Sequence, residues 1–196
     1  MLRPALAPGE SSERHSRPTA LVESAVRSSV EAHEFRAAMR RVPAAVTVVT
    51  TVVGGVRHGF TATAVASVSA EPAQLLVCVN RGTRSAAAIS RAGRFGVSYL
   101  GAEQIAVAEA FAAPVAESED RFRRVPVRRD IDGATPHVPL LRDALVAFAC
   151  TVVSEIHSGT HAVFIGQVTQ VAGQDTVPLL YQDGAFIQTS QEGTDR

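Results

Sequence analysis

Hydroxyl side chains alternate with small apolar ones in the stretch Arg57–Pro72. Thr61, Thr63, Ser67 and Ser69 occupy odd positions, with Ala62, Ala64, Val65, Ala66 and Val68 between them. In an extended strand successive side chains point to opposite faces, so this alternation predicts a strand. Its residues are too small for a strand that only fills a core, where Ile, Leu and Phe dominate. Small side chains let a flat ligand approach the backbone, and the stretch reads as a binding strand. A second group, Asn80, Arg81, Thr83, Arg84 and Ser85, surrounds the start of a short helix expected over Ser85–Arg91 and ended by Gly93. A helix start presents unpaired N–H groups and a positive dipole end, which suit a phosphate, and guanidinium groups add charge-assisted bonds. An N-cap role for Thr83 or Ser85 explains the same residues about as well.

Other chemistries find less support. His157 and His161 are four apart, but a Ser-Gly-Thr turn separates them and no third ligand accompanies them, so a metal site is not expected. His161 opens a strand just after that turn, where it either faces a ligand at a rim or bonds to backbone; His58 is a weaker case. No Gly-x-Ser-x-Gly elbow is present, and no carboxylate pair marks a pocket. A site without a nucleophile or an acid/base pair fits a cofactor that carries its own chemistry.

Composition bounds the rest. At 196 residues, 46% hydrophobic and 19% charged, the chain suits one globular domain. Its formal net charge of zero gives no pull towards nucleic acid or an anionic membrane. All 19 basic residues are arginine, which removes Schiff-base chemistry and a lysine-bearing phosphate loop. No apolar run approaches the roughly 18 residues that cross a bilayer. Pro4, Pro8, Glu10 and Glu13 break any secretion-signal core, so a cytoplasmic location is expected. Cys78 and Cys150 lie in apolar, strand-like runs and read as buried core thiols.

The elements that position these residues are mostly strands. Residues 1–30 read as a disordered or partly helical tail, 31–190 as the domain, and 191–196 as a C-terminal tail. Phe35, Met39 and Val42 recur at helical spacing before Pro43, and Ala44–Val53 is a strand that Gly54-Gly55 turns into the binding strand. Leu75–Asn80 is expected as a short strand buried on both faces, and Arg94–Leu100 as another. Glu103–Ala112 reads as a helix. Residues 115–143, charged and proline-bearing, read as a long surface excursion. Ala144–Ile156 and His161–Val171 form a hairpin, and Leu179–Gln188 a last strand or strand pair turning at Asp183-Gly184. Repeated short strands with turn signals argue for a barrel or sandwich, and no Gly-x-Gly-x-x-Gly follows a strand.

The ordered set of motifs resembles the flavin reductase-like family, the FMN-binding split barrels that include reductase components of two-component flavin-dependent monooxygenases. The resemblance rests on Phe35-Arg36-x-x-Met39, Val46–Thr50, Gly59-Phe60-Thr61-Ala62-Thr63-Ala64-x-x-Ser67-Val68-Ser69-x-x-Pro72 and Leu76–Asn80. It continues through Gly93-Arg94-Phe95-x-Val97, Gln104, Phe111-Ala112, Asp120-Arg121-Phe122, Gly159-Thr160-His161-x-x-Phe164-Ile165-Gly166-x-Val168 and Pro178–Tyr181. It implies a mainly β fold, a homodimeric split β-barrel with a few short helices. It implies an NAD(P)H-dependent enzyme that transfers hydride to FMN or FAD, with NADH or NADPH as donor, and supplies reduced flavin to a separate monooxygenase. A flavin-binding module without turnover is the alternative. By resemblance Thr61, Ala62, Thr63 and Ala64 line the isoalloxazine. Ser67, Val68, Ser69, Asn80, Arg81, Thr83 and Ser85 hold the rest of the flavin, and His161 lies beside the nicotinamide. Thr63-Ala64 stands where many members carry Asn-Ser, and Thr160 where Asp often precedes the histidine.

Overall fold

The computed structural model describes residues 30–114, 119–123, 125–127 and 138–188. The expectations for the 191–196 tail, and for the 1–30 tail apart from Val30, lie outside these residues. By its contacts the chain divides into two units, one ending at Ala38 and one beginning at Met39. The described part of the first unit consists of Val30, Glu31 and most of α1 (Ala32–Arg40), a helix with no buried residue.

The second unit is mainly β. A small sheet joins β1 (Ala44–Ala45) to β9 (Leu179–Gln182) and β10 (Ala185–Gln188), the last two turning at Asp183-Gly184. The large sheet contains β2 (Thr47–Val53), β3 (Val56–Ala62), β4 (Val65–Ala70) and β5 (Ala73–Asn80). It also contains β6 (Arg94–Tyr99), β7 (Val146–Ser158) and β8 (His161–Gly173), in the order β3-β2-β6-β7-β8-β5-β4. Thus β3 and β4 hold opposite edges of that order, yet only Thr63 and Ala64 separate them in sequence. The three chain steps from Ala62 to Val65 span at most about 11 Å. The sheet must therefore curl until its edges nearly meet, and no described pairing joins β3 to β4. This is a split barrel.

β2 shows why the valine-rich run folds as it does. Val49 enters the barrel core with Val77, Val79, Phe95, Val97 and Phe164. Val46 and Val48 face a second core with Leu100, Phe111, Phe122 and Leu179. With both faces covered, its threonines are buried as well and must find partners. Thr47 Oγ1 donates to the Ala62 carbonyl at 2.7 Å, and Thr51 Oγ1 donates to that of Arg94 at 2.8 Å. Helix α2 (Arg84–Ala92) closes the barrel core with Ala86 and Ile89, and Gly93 ends it at φ 63°, a left-handed cap that glycine adopts without strain.

Four local expectations change. The binding strand is two strands, broken at Thr63-Ala64, because its halves pair with different neighbours, β2 and β5. β5 is not buried on both faces: Leu75, Val77 and Val79 are buried, whereas Leu76 and Cys78 are half-buried. The 115–143 excursion is not wholly a surface feature. α4 (Glu119–Phe122) buries Phe122, and Val125, Leu140 and Leu141 are also buried; residues 115–118, 124 and 128–137 lie outside the described set. The helix expected over Glu103–Ala112 is a tight turn, Ala102–Gln104, followed by α3 (Ile105–Ala112).

Candidate active site at the barrel split

A pocket of about 750 Å³ opens where the barrel is split. Its floor is the end of β3 and the link to β4, Phe60 to Ala64; Cys78, Val79 and Asn80 of β5 adjoin them. Thr83, Arg84 and Ser85 at the start of α2 line it, as do Glu109 and Ala112 of α3 and Arg121 of α4. Val46, Tyr181, Gly184 and Phe186 complete the wall, the two aromatic rings packed edge to face at 5.3 Å.

The edge of β3 explains how the floor is presented. A two-residue turn, Gly54-Gly55, joins Val53 to Val56, and the flanking pair of such a turn exchanges backbone bonds. Every second residue then bonds to β2, which turns the backbone of Arg57, Gly59 and Thr61 outward. The first two positions are covered by α4. Arg57 N–H donates to Glu119 Oε1, and Arg121 Nη1 donates to the Gly59 carbonyl at 2.8 Å. Thr61 is next in the series and lies in the pocket, its hydroxyl donating to the Ala108 carbonyl of α3 at 2.6 Å. Its backbone edge is therefore left for a ligand while its hydroxyl braces the wall.

The covering is tight. The Arg57 and Glu119 side chains pair through several hydrogen bonds, and the Arg57 guanidinium stands 4.9 Å from the Phe122 ring centroid. Glu119 is consequently held below the usual carboxylate range, chiefly by its hydrogen bond from Arg57. His58, on the other face of β3, is held below its ordinary value chiefly by burial and secondarily by the Arg84 charge. It therefore stays neutral beside the pocket at pH 7.

Of the residues expected from sequence, Thr61, Ala62, Thr63, Ala64, Asn80, Thr83 and Ser85 come together in this pocket. Two of them are partly committed to local structure. Asn80 Oδ1 accepts from Gly82 N–H at 2.9 Å, and Thr83 Oγ1 accepts from Ala86 N–H at 3.2 Å as an N-cap. Ser67, Val68, Ser69 and Arg81 stand outside the lining. Ser69 Oγ accepts from Glu71 N–H, and Arg81 braces the β7–β8 turn through the Gly159 and Thr160 carbonyls. His161 is exposed at the rim, directly across the ladder from Asn80, with Nδ1 2.9 Å from Thr160 Oγ1.

Sequence reasoning missed Arg121, Glu109, Tyr181 and Phe186 as lining residues, and Cys78 lines the pocket where a core thiol was expected. Arg121 could not be tied to Gly59 from local pattern, since 62 residues separate them. Phe60–Ala64 and Arg84 lay within stretches already singled out.

The model of the family "flavin reductase like domain" matches residues 39–190. The chain is 41% identical over 162 residues to the reductase component of FADH(2)-dependent resorcinol hydroxylase from Rhizobium sp. (strain MTP-10005), covering 81% of this chain and 88% of that protein. It is 41% identical over 167 residues to the FMN reductase (NADH) RutF 1 of Methylorubrum extorquens (strain PA1), covering 84% and 79%. Among solved structures, BorF, the flavin reductase component of a bacterial two-component tryptophan halogenase, superposes with a TM-score of 0.73 at 32% identity, covering 81% of this chain and 98% of BorF. With its split barrel, its pocket at the split and a family match over most of its length, this chain belongs to the flavin reductase-like domain family.

Proposed function

We infer that this chain is an NAD(P)H-dependent flavin reductase that transfers hydride from a nicotinamide to FMN or FAD and releases reduced flavin to a separate monooxygenase. The observation that carries the reading is the pocket at the split, floored largely by small residues and ending at a helix start. Its volume of about 750 Å³ lies within the range of cofactor sites. Ala62, Thr63 and Ala64 leave room for a planar ring against the backbone, and Arg84, Arg121 and the α2 start supply positive potential for a phosphate. The donor set therefore fits a flavin nucleotide.

A bound flavin supplies the hydride acceptor and the nicotinamide supplies the donor. The chain's own part is positioning. Thr61 and Ala62 set the height of the ring over β3, and the outward Thr61 backbone offers it a hydrogen-bonding edge. Phe60, Val79 and Ala112 exclude water from the reacting face. Arg84 and Arg121 add a positive field without needing to move. We assign His161 a nicotinamide contact, supported by its place at the rim opposite Asn80. Ser67, Val68, Ser69 and Arg81 act, on this reading, from the neighbouring surface.

We further propose a homodimer acting in the cytoplasm, with residues 31–190 as the functional domain. Leu76, Val163, Ile165 and Ile156 face one another across β5, β8 and β7 on the outer side of the sheet, and Ile156 is 50% exposed. Such a continuous apolar face beside a pocket suits a second copy. Among the described residues no helix is long and apolar enough to cross a membrane. The test is flavin binding followed by nicotinamide oxidation. Flavin binding without turnover would favour a carrier module.

A further inference from the structure

We propose that Thr160 is a positioning residue for the hydride donor: its hydroxyl donates to Nδ1 of His161 and so leaves the Nε2–H of that ring for the nicotinamide carboxamide. The proposal rests on the nicotinamide contact assigned to His161 above.

The turn that carries both residues is seated from outside itself. The Arg81 N–H donates to the Thr160 carbonyl at 3.0 Å, and Arg81 Nη1 donates to the Gly159 carbonyl at 3.4 Å. The end of β5 therefore holds the β7–β8 turn in place. His161 then opens β8 directly opposite Asn80 of β5 and Ser158 of β7. Residues directly opposite one another in an antiparallel pair put their side chains on one face, and Asn80 lines the pocket. The imidazole therefore stands on the pocket side of β5.

Backbone pairing does not set the rotation of the ring, and so does not decide which nitrogen meets a ligand. Thr160 does. Its Oγ1 lies 2.9 Å from His161 Nδ1, and among the described residues this is the one hydrogen-bonding contact of either side chain. The hairpin's carboxylate does not compete for the ring. Glu155 accepts from Ser90 Oγ at 2.8 Å and stands 2.8 Å from His157 Nε2.

In a neutral imidazole one nitrogen donates and the other accepts, and the bond made at one fixes the role of the other. A threonine hydroxyl rotates freely enough to donate to Nδ1, which keeps the ring proton on Nε2. A donor there meets the carboxamide oxygen of a nicotinamide and holds that ring in register for transfer. Without the hydroxyl, His161 keeps its place on β8 but loses its fixed tautomer and rotamer. Thr160 thus acts through His161, without touching the dinucleotide.

The experiment reads the imidazole by long-range 15N–1H NMR on the purified full chain at alkaline pH, with the His161 signals assigned by their loss in H161A. The wild type is expected to show the Nε2–H pattern. T160V and T160A should show a mixture of both tautomers, while T160S, which restores the hydroxyl, should match the wild type. Thermal melts establish that each variant is folded. In steady-state assays T160V and T160A should raise KM for the nicotinamide about threefold, the scale of one neutral hydrogen bond. The kcat at saturating nicotinamide and the flavin affinity should stay within about twofold. In an H161A background T160V should add nothing, because the two residues act as one unit. A threefold rise that persists in that background would show Thr160 acting on its own and overturn the positioning role. An unchanged KM in T160V, or a wild-type ring protonated on Nδ1, would overturn it too. An unchanged KM in H161A would instead overturn the nicotinamide contact on which the proposal rests.

Discussion

Substituting Gly59 by alanine tests how the pocket wall is held to the barrel. A Cβ at this position would lie 2.5 Å from Phe111 Cε1, 2.9 Å from Phe111 Cδ1 and 3.0 Å from Phe122 Cζ. Carbon atoms settle at about 3.5 Å or more, so the rings would have to retreat by about 1 Å. They have little room to do so. Phe111 is 1% exposed and is locked edge to face with Phe122 at 5.1 Å. Overpacking of this kind costs about 1–3 kcal/mol, and a central value of about 2 kcal/mol corresponds to about 4–8 °C in Tm for a chain of this size. The displaced elements also carry Glu109, Ala112 and Arg121, so flavin affinity should fall with stability. Thermal melts and flavin titration of G59A measure both effects, and the double variant G59A/F111L should recover part of each because the smaller side chain makes room. A G59A protein that melts within about 1 °C of the wild type and binds flavin unchanged would refute the packing argument.

Three further outcomes follow from the same geometry. Cys150 is buried and its thiol is pushed up to about 12, whereas Cys78 lines the pocket, so iodoacetamide should alkylate Cys78 alone and flavin should slow it; modification of Cys150 first would contradict the burial pattern. Glu119, lowered chiefly by its hydrogen bond from Arg57, stabilises above its ordinary value of 4.5 and loses that contribution as pH falls through its lowered folded value. His58, lowered chiefly by burial, opposes the fold as pH drops below 6.5, so both groups make the fold acid-labile. E119Q should be about 1 kcal/mol less stable at pH 7, with the gap closing below pH 4, by urea midpoints. Histidine 161 predicts a kinetic split: H161A should raise KM for the nicotinamide about fivefold and leave flavin affinity unchanged, and a loss confined to flavin binding would remove its assigned role.

Much of the fold was legible because its signals are local. Gly54-Gly55 and Asp183-Gly184 each mark a turn, and both turns are present. Thr61–Ala64 stood out because small residues alternate there, and these four line the pocket. What was not legible depends on curvature. The break at Thr63-Ala64 arises because the strand changes neighbours, which no period in the sequence encodes. The same curling leaves β4 beside the pocket instead of in it, which is why Ser67 and Ser69 share the alternation of Thr61 and Thr63 without sharing their place. Arg121 sat in a run of charges that reads as solvated, and only the docking of Phe122 on Phe111 brings it under β3. Cys78 looked like a core thiol because Leu75–Val79 is apolar throughout, yet alternate residues of β5 face the outer side and the pocket.

The central claim is that the pocket at the split reduces flavin. Its most direct measurement is the loss of nicotinamide absorbance when the purified protein meets NADH or NADPH together with FMN or FAD. The account predicts turnover that requires both added flavin and nicotinamide. Absence of turnover in all four combinations, with the protein folded and flavin bound, would contradict it.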